Sequence, residues 1–369
     1  MTDILNFVWS NGLAFIVIIS VIVFVHEFGH FFVARLNGVR VEVFSIGFGP
    51  ELRGWTDRRG TRWKIGLLPL GGYVKMFGEH PGEGGTVRAD SFAAKNVAQR
   101  AAVVAAGPIA NFVFSIVALA VLFATFGERV TPPEISEIKA ASAAEEAGFE
   151  PGDLILSIDG EAIERFEDLQ LVIRDSAGKA LQVIVRRAGS EIALTATPKL
   201  VERESRLGSV QRIGELGVVR SGDVVYERRA PIAAAAAAVS ETWMIVTSTL
   251  EAVAEIIDGT RGTEDLGGPV RIAQMSGQVA ESGLVTMVWF MAFLSVNLGL
   301  INLFPIPMLD GGHLLFFGIE AARGRPLGER AQELGLRVGL ALVVGLMVLA
   351  TWNDLIHLGV VEFVTGLWS

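Results

Sequence analysis

The sequence predicts a polytopic α-helical membrane protein with about four transmembrane helices, a membrane-associated β-hairpin or sheet, and one extracytoplasmic α+β domain. Three observations lead to this class. The 369 residues are 51% hydrophobic and only 19% charged, with a mean hydropathy of +0.48, which is typical of a membrane protein. Four apolar runs are each about 20 residues long, enough to cross a bilayer. Residues 128–230, in contrast, are polar, with mixed charges and turn signals.

The apolar runs divide the chain into segments. They are Leu13–Ala34, Ala101–Phe126, Leu284–Leu303 with a Pro-broken continuation, and Leu334–Trp352. We expect a first transmembrane helix at 1–36, a strand-bearing cytoplasmic connection at 37–100, a second transmembrane helix at 101–127, the soluble domain at 128–230, membrane-surface helices at 231–283, a third transmembrane helix at 284–320, and a fourth with its tail at 321–369. The first run has no basic residue before it and no cleavage site after it, so we interpret it as a retained span rather than a secretory signal.

Lysine and arginine in the connections predict the orientation, because cytoplasmic loops carry an excess of them. The connections after the first and third runs are basic, whereas the amino end before Leu13 and the tail after Trp352 contain no Lys or Arg. We therefore expect both termini and the soluble domain to be extracytoplasmic. The net charge of −9 and the lack of a basic block argue against a nucleic-acid partner.

A candidate metal site lies in the first run, in the sequence His26-Glu27-Phe28-Gly29-His30. Residues i and i+4 lie on one face of a helix, so His26 and His30 can present two imidazoles to one ion, with Glu27 beside them. This spacing is typical of zinc proteases, in which the carboxylate takes a proton from water. Ionisable side chains in a span are costly and indicate function. The alternative is a polar cluster paired with another helix for structure alone.

The connection at 37–100 contains alternating and apolar stretches that predict short strands. They are Val39–Val43, Arg62–Leu68 and Gly71–Met76, and we expect Phe44–Pro50 to break the first of them. Beside a membrane site they favour a small sheet that dips towards the metal, which is tolerated only where protein or water covers the backbone. An ordinary cytoplasmic hairpin is the alternative. At the start of the second span, Gly107 and Asn111 suit helix packing at least as well as catalysis.

The soluble segment has one strongly patterned piece, Ala144–Gly160, which predicts a short helix, a tight turn and a strand ending in Asp-Gly. A helix over Phe166–Ser176 and a strand over Leu181–Arg187 follow. This pattern resembles a PDZ domain, and that resemblance implies a PDZ-like domain that takes a peptide by strand addition. After it, Ile232–Ile257 carries acidic residues and favours an amphipathic surface helix over a fifth span. A further short helix begins at Gly267-Gly268-Pro269.

The third metal ligand is predicted at Asp310, after a proline-broken end of the third span that also contains Asn302. The absence of Cys restricts a zinc site to His, Asp and Glu. The third span also runs inward, so Asp310 reaches the same cytoplasmic half of the membrane as His26, which lies about 20 Å into its helix. We interpret His313 as structural.

These motifs resemble those of the site-2 proteases, a family of intramembrane zinc metalloproteases, and within it the regulator-of-sigma-E protease (RseP) type. The H-E-x-x-H motif of the family falls on His26, Glu27 and His30, its N-x-x-P-x-x-x-L-D-G motif on Asn302, Pro305, Leu309, Asp310 and Gly311, and its G-x-x-x-N motif on Gly107 and Asn111. The order of the segments agrees over essentially the whole chain. One departure is that this chain has room for one PDZ-like domain, whereas some relatives carry two.

The resemblance implies a zinc endopeptidase of the bacterial inner membrane, with Zn²⁺ held by His26, His30 and Asp310. Glu27 would be the general base and acid, and Asn302 would hold the substrate or the developing oxyanion. Substrates would be embedded in the lipid bilayer: anti-sigma factors after a first extracytoplasmic cut, or remnant signal peptides. The alternative is a non-proteolytic, membrane-anchored PDZ scaffold with a structural metal site; a transporter ranks last, because no inverted repeat is visible.

Overall fold

The computed structural model describes residues 2–79, 88–204, 210–221, 225–259, 262 and 267–357. The helices of this described part are α1 Thr2–Leu36, α2 Val97–Thr125, α3 Ala143–Ala147, α4 Phe166–Arg174, α5 Pro231–Ile257, α6 Pro269–Glu281, α7 Leu284–Leu303, α8 Asp310–Arg323 and α9 Glu329–His357. Its strands are β1 Val41–Thr56, β2 Arg62–Met76, β3 Glu128–Val130, β4 Ile135–Ile138, β5 Leu154–Ile158, β6 Glu161–Ala162, β7 Leu181–Arg187, β8 Ser190–Ala196, β9 Lys199–Glu204, β10 Val210–Glu215, β11 Val218–Arg220 and β12 Val225–Glu227.

The chain divides into two compact units. One, the membrane unit, comprises Met1–Leu122, Ala235–Glu251 and Thr263–Ser369; the other, the soluble unit, comprises Phe123–Ala234 and Ala252–Gly262. The first contains the predicted metal ligands, and the second contains most of the predicted extracytoplasmic domain.

Five helices of the described residues are long and apolar enough to cross a membrane, which confirms the polytopic class. They are Asn11–Leu36, Val97–Thr125, Pro231–Ile257, Leu284–Leu303 and Arg330–Ile356. Four of them match the four predicted spans, with only Phe126 of the second span lying beyond its helix. The additional one is α5, which we expect from its acidic residues to lie on the membrane surface. The number of true spans therefore stays a prediction.

The membrane-associated sheet is one antiparallel hairpin of β1 and β2. The strand does not end at the expected break over 44–50, because β1 runs on to Thr56, but regular pairing stops at the pair Ile46 and Gly72 and resumes at the pair Arg53 and Ile65, so the break is present as an irregularity. Shifts of register absorb the irregular residues, and Gly47 supplies a positive φ of 85°. Phe44 at the base of the hairpin is 1% exposed and stacks on Trp63, with 4.4 Å between ring centroids. This aromatic contact fixes the hairpin beside α1, because Phe24 also packs on Phe44.

Small residues allow the helices of the membrane unit to approach closely. A Cβ atom on Gly29 of α1 would lie 2.3 Å from the Ala106 carbonyl oxygen of α2. On another side of α2, a Cβ atom on Gly299 of α7 would lie 3.0 Å from the Pro108 carbonyl oxygen. Backbone contacts of this kind are how membrane helices associate without a hydrophobic driving force. Helix α2 therefore packs directly against both α1 and α7.

A non-helical segment separates α7 from α8. Helix α7 ends at Leu303 and α8 begins at Asp310, so the predicted proline break is present. Met308 in this segment has φ 94°, a conformation that costs a non-glycine residue roughly 1–3 kcal/mol and is found mainly at functional sites. Helix α9 packs directly against this segment. A Cβ atom on Gly339 of α9 would lie 1.8 Å from the Pro307 carbonyl oxygen.

The soluble unit is an α+β fold, as the sequence predicts. Its main sheet has the order β6-β5-β7-β8, with antiparallel pairing throughout. Helix α3 begins with a Ser142 cap, whose hydroxyl accepts from the Glu145 N–H, and ends at Gly148 in the left-handed conformation. Residues from the sheet and from α3 and α4 form one buried core, including Ile155, Leu169 and Val183.

Candidate metal centre

Helix α1 presents His26 and His30 on one face, one turn apart. Both residues are buried, with 7% and 8% of their surface exposed. Their Nε2 atoms lie 3.2 Å apart. When both imidazoles carry their protons on Nδ1, the two Nε2 lone pairs face each other, and a cation between them removes their repulsion. The pair is therefore arranged to bind a positive ion.

Asp310 completes the cluster from the first residue of α8. Its Oδ2 atom lies 3.2 Å from His26 Nε2 and 3.5 Å from His30 Nε2. In tetrahedral zinc sites, bonds of 2.0–2.2 Å place neighbouring ligand atoms about 3.3 Å apart. The same Oδ2 atom is buried and has no hydrogen-bond partner. The three side chains therefore fit a zinc ion in spacing and donor type, and the ion would satisfy the orphaned oxygen.

The backbone of α2 orients His30. His30 Nδ1 lies 2.9 Å from the Val103 carbonyl oxygen, which can only accept, so Nδ1 carries the proton and Nε2 is free to bind metal. The ring occupies the space above Gly107, where a Cβ atom would lie 2.2 Å from His30 Nε2. Glycine is therefore required at position 107 for the imidazole to reach its place.

Asn111, one turn further along α2, orients His26. Its Nδ2 atom lies 3.1 Å from His26 Nδ1, and its own Oδ1 atom is buried with no partner. An imidazole that binds metal through Nε2 carries its proton on Nδ1 and donates it. The oxygen and nitrogen of a side-chain amide exchange places by a half-turn. In the metal-binding state Asn111 therefore turns Oδ1 towards His26 and accepts that proton.

Glu27 and Asn302 lie on two different helices of the membrane unit. Glu27 follows His26 on α1 and is half-buried against β2, where a Cβ atom on Gly72 would lie 3.2 Å from its Cγ atom. Asn302 is half-buried in the last turn of α7, eight residues before Asp310 in the sequence. The metal cluster found among the described residues comprises His26, His30 and Asp310. The roles of Glu27 and Asn302 stay predictions.

The sequence contains three other histidines, His80, His313 and His357. His313 is exposed on α8, with its ring centroid 6.5 Å from that of Phe316, so its structural interpretation stands as a prediction. His357 is the last residue of α9. His80, which we do not expect to bind metal, lies outside the described residues.

Sequence reasoning undervalued two parts of the site. It left Asn111 open between packing and catalysis, although the four-residue spacing from Gly107 places both on the face of α2 that His26 and His30 contact. It also overlooked Gly335 and Gly339 of α9, which lie against Pro307 just before Asp310. Their small-x-x-x-small spacing is a signal of close helix contact and could have been found.

Comparison with known proteins identifies a family. Residues 14–346 match peptidase family M50. A relative from Agrobacterium fabrum named "Putative zinc metalloprotease Atu1380" is 44% identical over 92% of this chain and 94% of its own. "Metalloprotease MmpA" of Caulobacter vibrioides is 36% identical over 95% and 97% of the two chains. "Regulator of sigma-E protease RseP" of Salmonella typhimurium is 35% identical over 95% and 99%.

A solved structure matches part of the chain. The PDZ domain of the SdrC-like protein from Listeria monocytogenes is 18% identical and covers 26% of this chain and 90% of its own. The TM-score of this match is 0.19. The PDZ-like assignment of the soluble unit therefore rests on the sequence pattern and stays a prediction.

Proposed function

Because this chain belongs to peptidase family M50, we propose that it is an intramembrane endopeptidase that cleaves the transmembrane segments of single-span membrane proteins. The chain is a zinc metalloprotease of the inner membrane, and its substrates are membrane-embedded. The proposal adds where the cut is made and which residues make it.

The observation that carries the proposal is the spacing of three ligand atoms. His26 Nε2, His30 Nε2 and Asp310 Oδ2 lie 3.2 to 3.5 Å from one another, close to the spacing of about 3.3 Å in a tetrahedral zinc site. Three protein ligands are the number used by catalytic zinc sites, which keep a fourth position open. Both histidines belong to a helix that is apolar enough to span a membrane, so the reaction takes place within the bilayer.

The reaction is hydrolysis of a peptide bond, with the chain supplying the proton transfers. Zinc, when bound, would polarise the scissile carbonyl and lower the pKa of a water molecule. Glu27 takes a proton from the attacking water and delivers it to the leaving amine, as a general base and then a general acid. Asn302 donates its amide N–H to the substrate carbonyl oxygen, where negative charge develops.

The substrate must be unwound before it is cut, because the carbonyl groups of a helix are occupied by its own hydrogen bonds. The β1–β2 hairpin packs on α1 beside Glu27, and its outer edges can pair with an extended segment. We propose that this hairpin holds the unwound substrate. Candidate substrates are anti-sigma factors after a first extracytoplasmic cut, and remnant signal peptides.

The proposed orientation follows from the distribution of basic residues. The termini and the soluble unit lie outside the cytoplasm, and the metal centre lies towards the cytoplasmic side. The soluble unit then meets the extracytoplasmic part of a substrate. We propose that it is PDZ-like and inspects that part before the transmembrane segment enters.

Substitution Glu27→Gln tests the mechanism, because it removes the proton acceptor and leaves all three ligands. We expect cleavage of a reconstituted model single-span substrate to fall by about 10²–10⁴-fold, while zinc content measured by mass spectrometry stays at the wild-type level. Glu333→Gln is the matched control, since Glu333 is an exposed acidic residue of α9 that pairs with Arg337 and lies outside the proposed catalytic and substrate-binding elements; it should change neither quantity. Persistent cleavage in Glu27→Gln would exclude this mechanism.

A further inference from the structure

An open groove lies where α1 ends beside the tip of the β1–β2 hairpin. Its volume is about 550 Å³, and its walls include Phe32, Arg35 and Leu36 of α1 with Arg58 and Arg59 of the hairpin tip. Pockets that hold small molecules are typically about 300–1,000 Å³. The groove is therefore large enough for a ligand, and it belongs to neither the metal centre nor the substrate-binding edge.

One side of the groove is apolar and continues along the surface of α1. Phe28, Phe32 and Leu36 are spaced by four residues and lie on one helix face, with 40%, 52% and 70% of their surface exposed. The Phe28 and Phe32 rings stack with centroids 6.2 Å apart. Because this helix is a candidate span, a hydrocarbon chain is the natural cover for such a stripe.

The groove lies at the depth of the lipid headgroups. The apolar span Asn11–Leu36 has 26 residues, about 39 Å at 1.5 Å per residue, whereas the hydrocarbon core is about 30 Å thick. Its end therefore reaches the polar layer. Trp55 at the hairpin tip is 56% exposed and stacks on Trp63, with 5.9 Å between ring centroids. Exposed tryptophan is enriched at this level of membrane proteins.

The other side of the groove is cationic. Arg35 donates from Nη2 to Asp57 at 2.9 Å and to Thr61 at 2.8 Å, but its buried Nε has no partner. The exposed side chains of Arg58 and Arg59 form no ion pair with any described residue. Three guanidinium groups thus face one carboxylate.

Asp57 stays ionised at neutral pH. Burial raises its pKa, but hydrogen bonds from the Thr61 backbone, the Trp63 indole and the Arg59 backbone outweigh burial and hold the pKa below its ordinary value. Asp57 therefore neutralises one of the three cations, and the groove keeps an excess of positive charge.

We propose that this groove binds one anionic phospholipid, with its phosphate at Arg58 and Arg59 and an acyl chain along Phe28, Phe32 and Leu36. The arginine side chains complement the negative charge of the headgroup, and the apolar stripe contacts the acyl chain. A free phosphate would leave the apolar stripe of Phe28, Phe32 and Leu36 uncovered. An acidic peptide would have to cover that stripe with apolar residues of its own. The inference goes beyond the proposed function, because it requires only that α1 ends at a membrane surface.

The test uses the full-length protein in a neutral detergent, with phosphatidylglycerol as the anionic probe and phosphatidylcholine as the neutral one. Lipid retention is measured by native mass spectrometry, and the melting temperature reports ligand binding by mass action. We expect preferential retention of phosphatidylglycerol. The double variant Arg58→Gln/Arg59→Gln should weaken it by about 25-fold, since each basic side chain near an anionic headgroup contributes roughly fivefold.

The matched control is Arg323→Gln/Arg325→Gln, which removes two exposed arginines at another helix end and should leave retention unchanged. The lipid-free melting temperature of both double variants should equal that of the wild type, because all four side chains are exposed. Equal retention of the two lipids, or equal loss in both variants, would overturn the proposal. Full stabilisation by inorganic phosphate or by an acidic peptide, without a preference for the lipid, would also overturn it.

Discussion

Asp153 of the soluble unit and Asp310 of the membrane unit are both largely removed from solvent, but their surroundings differ. Asp153 is fully buried and accepts from Arg187 Nε at 2.7 Å, from Arg187 Nη2 at 2.8 Å and from the Glu150 N–H at 2.9 Å. Asp310 faces two imidazole nitrogens, and its Oδ2 atom has no hydrogen-bond partner.

This difference is the one expected between a structural carboxylate and the metal-binding carboxylate that we propose. A buried charge is tolerated when its partners neutralise and hydrogen-bond it, which Arg187 does for Asp153. His26 and His30 cannot do the same for Asp310 while their Nε2 atoms carry lone pairs. A cation would neutralise the cluster of His26, His30 and Asp310, whereas Asp153 is already neutralised by Arg187. Degree of burial alone would not distinguish the two aspartates.

The largest expected effect follows from removing the carboxylate in the metal centre. In Asp310→Ala, two imidazoles remain for an ion that needs three protein ligands. We expect zinc affinity to fall by more than about 100-fold, which exceeds the 10–100-fold loss typical of residues that only orient a ligand. Chelator competition, followed by metal analysis of the purified protein, measures this loss. Cleavage of a model substrate should fall to background.

Asp153→Asn is the matched control for this experiment, because it removes a buried negative charge from the other unit. It should retain zinc with wild-type resistance to the chelator. The comparison between the two aspartates would be wrong if Asp310→Ala also retained zinc, or if both variants lost it equally.

The clustering of His26, His30 and Asp310 could be predicted from the sequence, because their geometry is local or follows from depth. His26 and His30 are related by one helical turn, which the sequence spacing determines directly. Asp310 was predicted from its depth in a second inward-running span. The position of Asn111 against His26 depends instead on where α2 crosses α1. That crossing is set by close contact at Gly29, which no single segment reveals.

Some features of the fold could likewise not be predicted from single segments of the sequence. Strand residues in the connection at 37–100 were recognisable from alternation, but the continuation of β1 through Gly47 was not, because shifts of register in the partner strand absorb the irregularity. The helix over 231–257 is long and apolar enough to span, while its acidic residues favour a surface position. Length and charge conflict there, and the sequence cannot decide between them.

The second largest effect on zinc affinity is expected at Asn111. A substitution at this position sharpens the comparison of the two aspartates, because Asn111 contacts the proposed ligand His26 and not the ion itself. Asn111→Leu removes the acceptor for His26 Nδ1 and should lower zinc affinity by about 10–100-fold. Asn111→Asp keeps an oxygen at that position and should retain most of the affinity. The same chelator competition measures both variants.

Ser115→Ala is the control for packing on α2, since Ser115 is also fully buried but lies one turn beyond the site. It should leave zinc affinity unchanged. If Asn111→Leu bound zinc as tightly as the wild type, Asn111 would be a packing residue and its contact with His26 incidental.

The smallest expected effect is the pH dependence of the soluble unit, because Arg187 is partly exposed and also pairs with Glu150. Burial raises the pKa of Asp153, but the hydrogen bonds from Arg187 and from the Glu150 backbone outweigh burial and hold the pKa below its ordinary value. A carboxyl group with a depressed pKa stabilises the folded state above its unfolded pKa of about 3.9, and this contribution is lost as the pH falls through the folded pKa. At neutral pH, Asp153→Asn should lower the free energy of unfolding by about 2 kcal/mol, less than the 3–5 kcal/mol for breaking a fully buried pair.

Hydrogen exchange of the β5 and β7 amides in the full-length protein, corrected for the intrinsic effect of pH, measures this difference. The gap in protection between the wild type and Asp153→Asn should be constant from neutral pH down to about pH 5, then narrow below about pH 4 as Asp153 takes up its proton. A gap that stayed constant below pH 4 would mean that Asp153 contributes through packing rather than charge. In that case the contrast with Asp310 would have to rest on the zinc measurements alone.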